Sequence, residues 1–356
     1  MEIRLKNKIF QSRDLCLRAL DTNSACAKSV RRNEEKMEQL EEKKINKTRI
    51  ILYLAITFVI TFAMEIFVVR PLIQSSDESQ ALLGQSLIAG MMYIPTIGVI
   101  ATRLLTKERF AGNLFIALNI KKNLKYYGMA WFGMAFLTVV GTVLYFLIFR
   151  KCFDPELGYL KAMYEAQIEM TGAGEVPDTS GLWNMMLQQV VFGILFSPFL
   201  NIINCFGEEW GWRGYLLPKL MKQFKIVPTL LISGVIWGLW HAPLIVFGHN
   251  YGVGYPGYPV VGILAMCVFC VVMGTLLSYL TIHTKSCIPA AMAHGMINGF
   301  SSVGIYFTSL THPYNVFVGP TALGIVGGIG FIAAAGVMGY KLYQQEKNSE
   351  EGLSLM

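Results

Sequence analysis

Residues 182–214 read LWNMMLQQVVFGILFSPFLNIINCFGEEWGWRG, a long apolar run that ends in a cluster of charges. The part before Asn204 contains no Asp, Glu, Lys or Arg, and about 20 such residues are enough to cross a bilayer as a helix. Glu208, Glu209 and Arg213 follow at once. Ionisable groups at membrane depth are costly unless they are paired or functional. The stretch therefore predicts a membrane helix with a candidate functional site at one end.

The whole chain has the composition of a multi-pass membrane protein. Of its 356 residues, 54% are hydrophobic and only 15% are charged, and the mean hydropathy is +0.47. Soluble proteins carry about 25% charged residues. We therefore predict an all-α fold, a polytopic helical bundle in the lipid bilayer, and we expect no nucleic-acid partner.

Eight apolar windows are long enough to span the membrane, so we predict about eight transmembrane helices. The first window begins too far from the amino terminus for a cleaved signal peptide. The windows are 50–69, 82–102, 126–149, 182–203, 227–247, 260–282, 288–307 and 321–340.

Basic residues lie in alternate connecting segments, which orients the bundle. Residues 1–49 hold 13 Lys or Arg against 8 Asp or Glu, and the segment after the second window is also basic. The segment after the third window is acid-rich, and residues 248–259 and 308–319 contain no charged residue. Both termini are therefore predicted to be cytoplasmic.

Three regions follow from this pattern. Residues 1–49 form a polar basic cytoplasmic arm, residues 50–341 form the transmembrane domain, and residues 342–356 form a cytoplasmic tail. The short loops indicate a bacterial cell membrane. Of the seven cysteines only Cys152 is predicted to lie outside, so no outer disulfide is expected, and Cys267 and Cys270 are interpreted as buried thiols.

The segment EEWGWRG, 208–214, offers two carboxylates with different tasks. In a helix Glu209 and Arg213 lie on one face and can form an ion pair, whereas Glu208 points about 100° away beside Trp212. Glu208 is thus left for chemistry as a general base. The alternative is a Glu–Arg clamp at the end of a membrane helix.

Two later windows each contain a histidine. WGLWH, 237–241, ends at His241, and HGMIN, 294–298, places His294 and Asn298 on one helical stripe. Carboxylate, imidazole and amide together can activate a water and stabilise an oxyanion. Hydrogen bonds between helices are the alternative for both segments. Four further ionisable residues are left out of the predicted site: Glu65, His249, His283 and His312.

The order EExxWRG, WxxxH, HxxxN on successive helices resembles the three motifs of the CPBP family of CAAX-type intramembrane proteases, also called the ABI family. The resemblance covers residues 180–310. Where the family often has Phe, this chain has Trp212 and Trp237, so we expect a reshaped pocket walled by Trp212, Trp237 and Trp240.

The resemblance implies an endopeptidase that cleaves a membrane-associated or lipidated peptide near the cytoplasmic face. In the favoured version no cofactor is needed: Glu208 and His241 activate a water, His294 and Asn298 stabilise the oxyanion, and Glu209 and Arg213 fix the helix. In the competing version Glu208, His241 and His294 ligate Zn²⁺. Two other functions stay open, a non-catalytic scaffold or bacteriocin-immunity protein with the same fold, and a transporter.

Overall fold

The computed structural model describes residues 25–112 and 114–354, and these residues form helices joined by turns. Within these ranges, extended pairing is limited to a bridge between Phe153 and Thr308. The predicted all-α fold is confirmed. Residues 1–24 of the predicted arm, with Cys16, lie outside the described residues.

The chain divides into two compact units. Residues 25–52, the described part of the first unit, are helical throughout. The second unit is Tyr53–Met356. The α-helices are α1 Ala25–Met64, α2 Arg70–Ile73, α3 Glu78–Met91, α4 Ile94–Leu105, α5 Ile120–Gly128, α6 Met134–Ile148, α7 Gly158–Thr171, α8 Thr179–Glu209, α9 Leu217–Met221, α10 Ile226–Trp240, α11 Ala242–Val246, α12 Val260–Thr284, α13 Ile288–Phe300 and α14 Ile329–Ser354.

Short π-helical segments, in which each turn holds an extra residue, continue three of these helices. They are Glu65–Val69, Met129–Gly133 and Trp210–Leu216. The last of them contains most of the EEWGWRG motif, so Glu209 ends α8 and Arg213 lies in the wider turn.

Four helical stretches in the described ranges are long and apolar enough to cross a membrane: Arg31–Ile73, Ile120–Ile148, Thr179–Met221 and Val260–Thr284. A fifth crossing results if α3 and α4, which are bent by 45° relative to each other, count as one span. The shorter apolar helix α10 does not reach this length. The chain is thus a helical membrane protein with four or five spans by this measure.

Proline explains why the predicted window 227–247 is two helices. Pro243 has no N–H to donate and its ring clashes with the carbonyl four residues earlier. Accordingly α10 ends at Trp240 and α11 begins at Ala242. His241 therefore lies at a break in the helix, where its side chain is not confined to a helical stripe.

The window 321–340 also differs from the structure, because α14 begins only at Ile329 and the preceding residues form turns. One of these turns approaches α6 closely: a Cβ atom on Gly141 would lie 1.7 Å from the carbonyl oxygen of Gly327. Only glycine fits at such a contact.

The most extensive helix contacts pair α8 with α13 and α10 with α12. Glycines allow the first approach, since a Cβ atom on Gly295 would lie 3.0 Å from the carbonyl oxygen of Pro198. Asn201 adds a hydrogen bond from Nδ2 to the carbonyl of Gly295, at 3.4 Å. This packing brings the end of α8 beside the middle of α13.

Candidate active site

Glu209 is the centre of a buried charge network. Its Oε1 accepts a hydrogen bond from Arg213 Nη1 at 2.9 Å, and the same oxygen lies 2.9 Å from His294 Nδ1. The side chains of Glu209 and Arg213 are fully buried and that of His294 is 7% exposed. The ion pair expected from the spacing is present, while the contact with His294 joins residues 85 positions apart.

This contact orients the His294 ring. Nδ1 donates to the Glu209 carboxylate, so the ring is held in one direction and Nε2 is the nitrogen that remains for another partner. His294 also lies edge-on to Trp237, with 5.3 Å between the ring centroids. The carboxylate and the indole together leave this imidazole little freedom to turn.

Glu208 points elsewhere, as its offset from Glu209 predicts. It is 3% exposed, and its Oε2 accepts a hydrogen bond from Trp237 Nε1 at 2.9 Å. This bond fixes the carboxylate and leaves Oε1 for another donor. Glu208 is therefore positioned but not neutralised by a basic side chain of its own.

His241 is oriented by the backbone. Its Nδ1 lies 2.9 Å from the carbonyl oxygen of Trp237. Because a carbonyl oxygen only accepts, Nδ1 carries the hydrogen and Nε2 of the neutral ring offers a lone pair. Such a nitrogen can accept a hydrogen bond from a water molecule.

A cavity of about 360 Å³ lies between these helices. Four predicted site residues line it together: Glu208, His241, His294 and Asn298. Asn298 is more exposed than the others, and its Nδ2 lies 3.6 Å from Cys205 Sγ, which is a weak acceptor. The amide keeps a second N–H for a ligand in the cavity.

Two of the three tryptophans predicted to form the pocket walls line this cavity. Trp237 and Trp240 line the cavity, and the Arg213 guanidinium lies 4.2 Å from the ring centroid of Trp237. Trp212 differs from them. It is fully buried behind Trp240, at 5.9 Å between ring centroids, and does not line the cavity. The π-helical turn after Glu209 rotates Trp212 into the bundle, away from Glu208.

The structure adds residues that were left out of the predicted site. Glu65 and His249 line the cavity, whereas His283 and His312 do not. The signal for Glu65 was present in the sequence, because an acid inside an apolar window is itself a sign of function. His249 was placed in a loop, and no local pattern linked that loop to the other motifs.

A connecting segment, residues 106–119, holds the π-helical turn from outside the spans. Glu108 accepts hydrogen bonds from Tyr215 Oη at 2.8 Å and from Lys219 Nζ at 2.7 Å. Burial raises the pKa of Glu108, but the hydrogen bond and charge of Lys219, together with Tyr215, hold it below its ordinary value. Trp210 Nε1 also donates to the carbonyl of Leu114 at 3.0 Å.

The metal version of the site would take its ligands from Glu208, His241 and His294. Among the described residues, no three His, Cys, Asp or Glu side chains are arranged so that they could hold a metal ion. Glu208 Oε2 is bonded to Trp237, and His294 uses Nδ1 for Glu209. A histidine that donates its other nitrogen to a carboxylate is also usual beside a bound metal, so these two bonds fit both versions of the reaction.

The residues that line the cavity can be compared with the predicted orientation of the chain in the membrane. Its lining includes His249 and Asn250, which belong to the segment 248–259 that the charge pattern predicts to be outside. Gln85, at the outer end of the predicted second span, lines it too, and both Gln85 and Asn250 are exposed. The predicted orientation therefore conflicts with the cytoplasmic depth that the family resemblance implies.

Comparison with known proteins places the site within a matched region. Residues 181–300 match the model of a family described as type II CAAX prenyl endopeptidase Rce1-like. This range contains Glu208, His241, His294 and Asn298, which line the cavity. Glu65 lies outside it.

A curated relative is CAAX prenyl protease 2 of Methanococcus maripaludis, which is 29% identical over 110 residues. The match covers 30% of this chain and 41% of the relative. The chain thus spans about two fifths of the length of that relative. Together with the family model, this match confirms the resemblance to the CPBP family that the three motifs indicate.

Proposed function

We propose that this chain is an intramembrane endopeptidase that hydrolyses a peptide bond in a membrane-associated or lipidated peptide. The observation that carries the proposal is the convergence of Glu208, His241, His294 and Asn298 on one cavity. These groups come from three separate helical segments, in a chain whose eight apolar windows contain only one other Asp, Glu, Lys, Arg or His residue, Glu65. The names of the matched family and of the curated relative support the same reaction class.

The proposed reaction uses a water held between Glu208 Oε1 and His241 Nε2. Glu208 takes one proton as the water oxygen attacks the scissile carbonyl carbon. Nε2–H of His294 and the free amide N–H of Asn298 donate to the developing oxyanion. When the C–N bond breaks, Glu208 returns its proton to the leaving amine, so that atoms and charges balance.

The charge network supports these roles. His294 needs one proton on Nδ1 for Glu209 and a second on Nε2 for the oxyanion, so it acts as an imidazolium. Arg213 and His294 then carry two positive charges, and Glu208 and Glu209 carry two negative charges. A neutral set of four is less costly to bury than any three of them.

The proposed setting is a bundle of eight spans in a bacterial cell membrane with both termini in the cytoplasm. Four or five of these spans are long helices, and the remaining windows are short, bent or broken as α10 and α13 are. With this orientation the substrate reaches the cavity from the outer side, past Gln85 and Asn250.

The test compares purified wild type and Glu208→Gln in liposomes on a panel of membrane-anchored peptides, prenylated and unprenylated. We expect Glu208→Gln to lower kcat/KM by about 10²–10⁴-fold, the usual contribution of a general base. Glu78→Gln is the matched control, because it makes the same change at an exposed carboxylate outside the cavity. Equal cleavage by wild type and Glu208→Gln would defeat the assignment, and binding without cleavage by wild type would indicate a scaffold.

The same assay with a strong chelator separates the two proposed chemistries. Activity that survives complete metal removal supports the metal-free reaction. Activity that is lost and then restored by Zn²⁺ would replace it with ligation by Glu208, His241 and His294.

A further inference from the structure

Glu65 is a buried acid in the cavity that the proposed reaction does not use. It begins the π-helical segment Glu65–Val69 at the end of α1 and is 0% exposed. Neither carboxylate oxygen has a hydrogen-bond partner. The side chain lines the same cavity as Glu208 and His241. A buried acid without partners is rare in proteins, and inside a membrane bundle it indicates a functional site.

The charge of Glu65 has no counterpart within the site. Arg213 and His294 already balance Glu208 and Glu209, so an ionised Glu65 is one negative charge in excess. Pairing is what makes a buried charge tolerable. The missing partner is therefore a cation, or a proton that a cation displaces.

Neighbouring residues do not supply this cation. Arg70 is the nearest basic residue along the chain, but its guanidinium lies over the Phe247 ring at 5.5 Å and its Nε donates to Gln74 Oε1. No Lys or Arg lies among the cavity-lining residues of the described chain. His249 lines the cavity without forming a hydrogen bond to Glu65.

The walls of the cavity that Glu65 lines suit a long basic side chain. Trp240 and Phe269 offer aromatic faces, to which ammonium and guanidinium groups are attracted. Met91 and Leu244 offer apolar surface for the methylene stem. A carboxylate beyond such a surface can bind the charged end with hydrogen bonds stronger than those between neutral groups.

We propose that Glu65 forms a specificity subsite for a Lys or Arg side chain of the peptide substrate. The proposal rests on the proposed endopeptidase function, because it assigns the substrate class that the same cavity accepts. The basic side chain enters past the polar rim, binds Glu65 and thereby places the peptide bond beside Glu208.

The test uses membrane-anchored peptides that differ at one residue. Wild type first defines the cleavage site by mass spectrometry, and Lys or Leu is then placed at each of the flanking positions. At one position we expect the ratio of kcat/KM for the Lys and Leu peptides to fall roughly 30-fold in Glu65→Gln, the lower end for losing one partner of a buried charge pair. Glu65→Asp retains the charge and should keep most of the ratio.

Glu78→Gln again controls for the loss of a carboxylate elsewhere and should keep the wild-type ratio. An identical ratio in wild type and Glu65→Gln, or no position at which wild type prefers Lys, overturns the proposal. If Glu65→Gln does not fold, its unfolding is seen as loss of cleavage of the Leu peptide too. Glu65→Met, which removes the charge at similar size, then replaces it, and an unchanged ratio in Glu65→Met overturns the proposal.

A binding measurement separates this proposal from the reaction itself. The Lys and Leu peptides are bound to Glu208→Gln in nanodiscs, with and without Glu65→Gln, and Kd is measured by fluorescence anisotropy. Preference for Lys that depends on Glu65, found while wild type cleaves neither peptide, would retain the subsite and reject the peptidase. Cleavage by wild type without any preference for Lys would retain the peptidase and reject the subsite.

Discussion

At the scale of single residues, the site depends on one oxygen atom. Glu209 Oε1 binds both Arg213 and His294, and Arg213 in turn lies against Trp237, which binds Glu208. The network thus connects the fixed carboxylate to the reactive one through a guanidinium and an indole. Its rigidity follows from burial, because no water competes for these contacts.

Removing one charge from this network should lower the free energy of unfolding far more than removing two opposite charges together. Arg213→Met leaves Glu209 buried without its strongest partner, and we expect a loss of about 3–5 kcal/mol in the free energy of unfolding. In Arg213→Met/Glu209→Gln no uncompensated charge remains, so the double variant should be more stable than Arg213→Met alone. Denaturant unfolding in detergent micelles, followed by circular dichroism, measures both.

Lys347→Met is the control for that experiment. Lys347 and Glu351 have the same spacing of four residues, but their side chains are 55% and 62% exposed. An exposed pair contributes less than about 1 kcal/mol. If Arg213→Met were as mild as Lys347→Met, the buried network would have no structural role.

Local residue contacts could be predicted from the sequence and distant ones could not. The pair Glu209–Arg213 follows from helical spacing, and it survives in the π-helical turn. The contact between His294 and Glu209 depends on how α13 packs on α8, which spacing does not encode. The direction of Trp212 is hard to predict for a related reason, since one extra residue per turn changes the direction of the next side chains.

At the scale of elements, both buried acids of interest lie where an α-helix becomes a π-helix. Glu65 opens one π-helical segment and Glu209 precedes another. Such π-helical turns are rare and are frequently found at functional sites. In a regular helix these side chains would be spread around the helix surface, whereas the π-helical turns direct them into the bundle.

The packing of α10 on α12 gives a second prediction. A Cβ atom on Gly238 would lie 2.5 Å from Cys267 Cα, so Gly238→Ala must push the two helices apart. We expect a loss of about 1–3 kcal/mol in unfolding free energy, as for other overpacked sites. Activity should fall as well, because Trp237 and His241 flank this contact. Denaturant unfolding and kcat/KM are the measurements.

Gly336→Ala in α14 is the matched control, because nothing lies within 4 Å of the added Cβ atom. It should be neutral or should stabilise the helix by up to about 1 kcal/mol. Unchanged stability and activity in Gly238→Ala would mean that the α10–α12 contact can relax without cost.

Helices were easier to predict than their ends. Each apolar window contains a helix, because hydrophobic length alone demands one in lipid. The ends depend on particular residues: Pro243 divides the fifth window at His241, and the turn that packs on Gly141 delays α14 until Ile329.

At the scale of the whole molecule, the basic connecting segments and the rim of the cavity are predicted to lie on opposite sides of the membrane. Basic residues follow the second, fourth and sixth windows, while the rim residues Gln85 and Asn250 lie in segments on the other side. The sequence predicted the orientation from its charges, but it could not show toward which side the site opens, since depth depends on helix tilt and breaks. The side of the membrane from which substrate reaches the cavity can therefore be tested by locating the rim residues.

Cysteine labelling answers it in intact cells. Replacing Cys16, Cys26 and Cys152 leaves thiols that are buried in the bundle. Into that background Glu165→Cys, Asn250→Cys and Lys121→Cys are introduced singly, each at an exposed position.

A membrane-impermeant maleimide added outside should label Glu165→Cys and Asn250→Cys, and it should label Lys121→Cys only after the membrane is permeabilised. The physical reason is that Lys121 lies in a basic segment, which the positive-inside rule retains in the cytoplasm, whereas Asn250 lies at the rim of the cavity. Labelling of Lys121→Cys from outside would mean that the true orientation is the reverse of the predicted one and that the cavity opens on the cytoplasmic side. Labelling of Glu165→Cys without Asn250→Cys would keep the orientation and close the outer entrance, so that substrate would have to enter between the helices from the lipid.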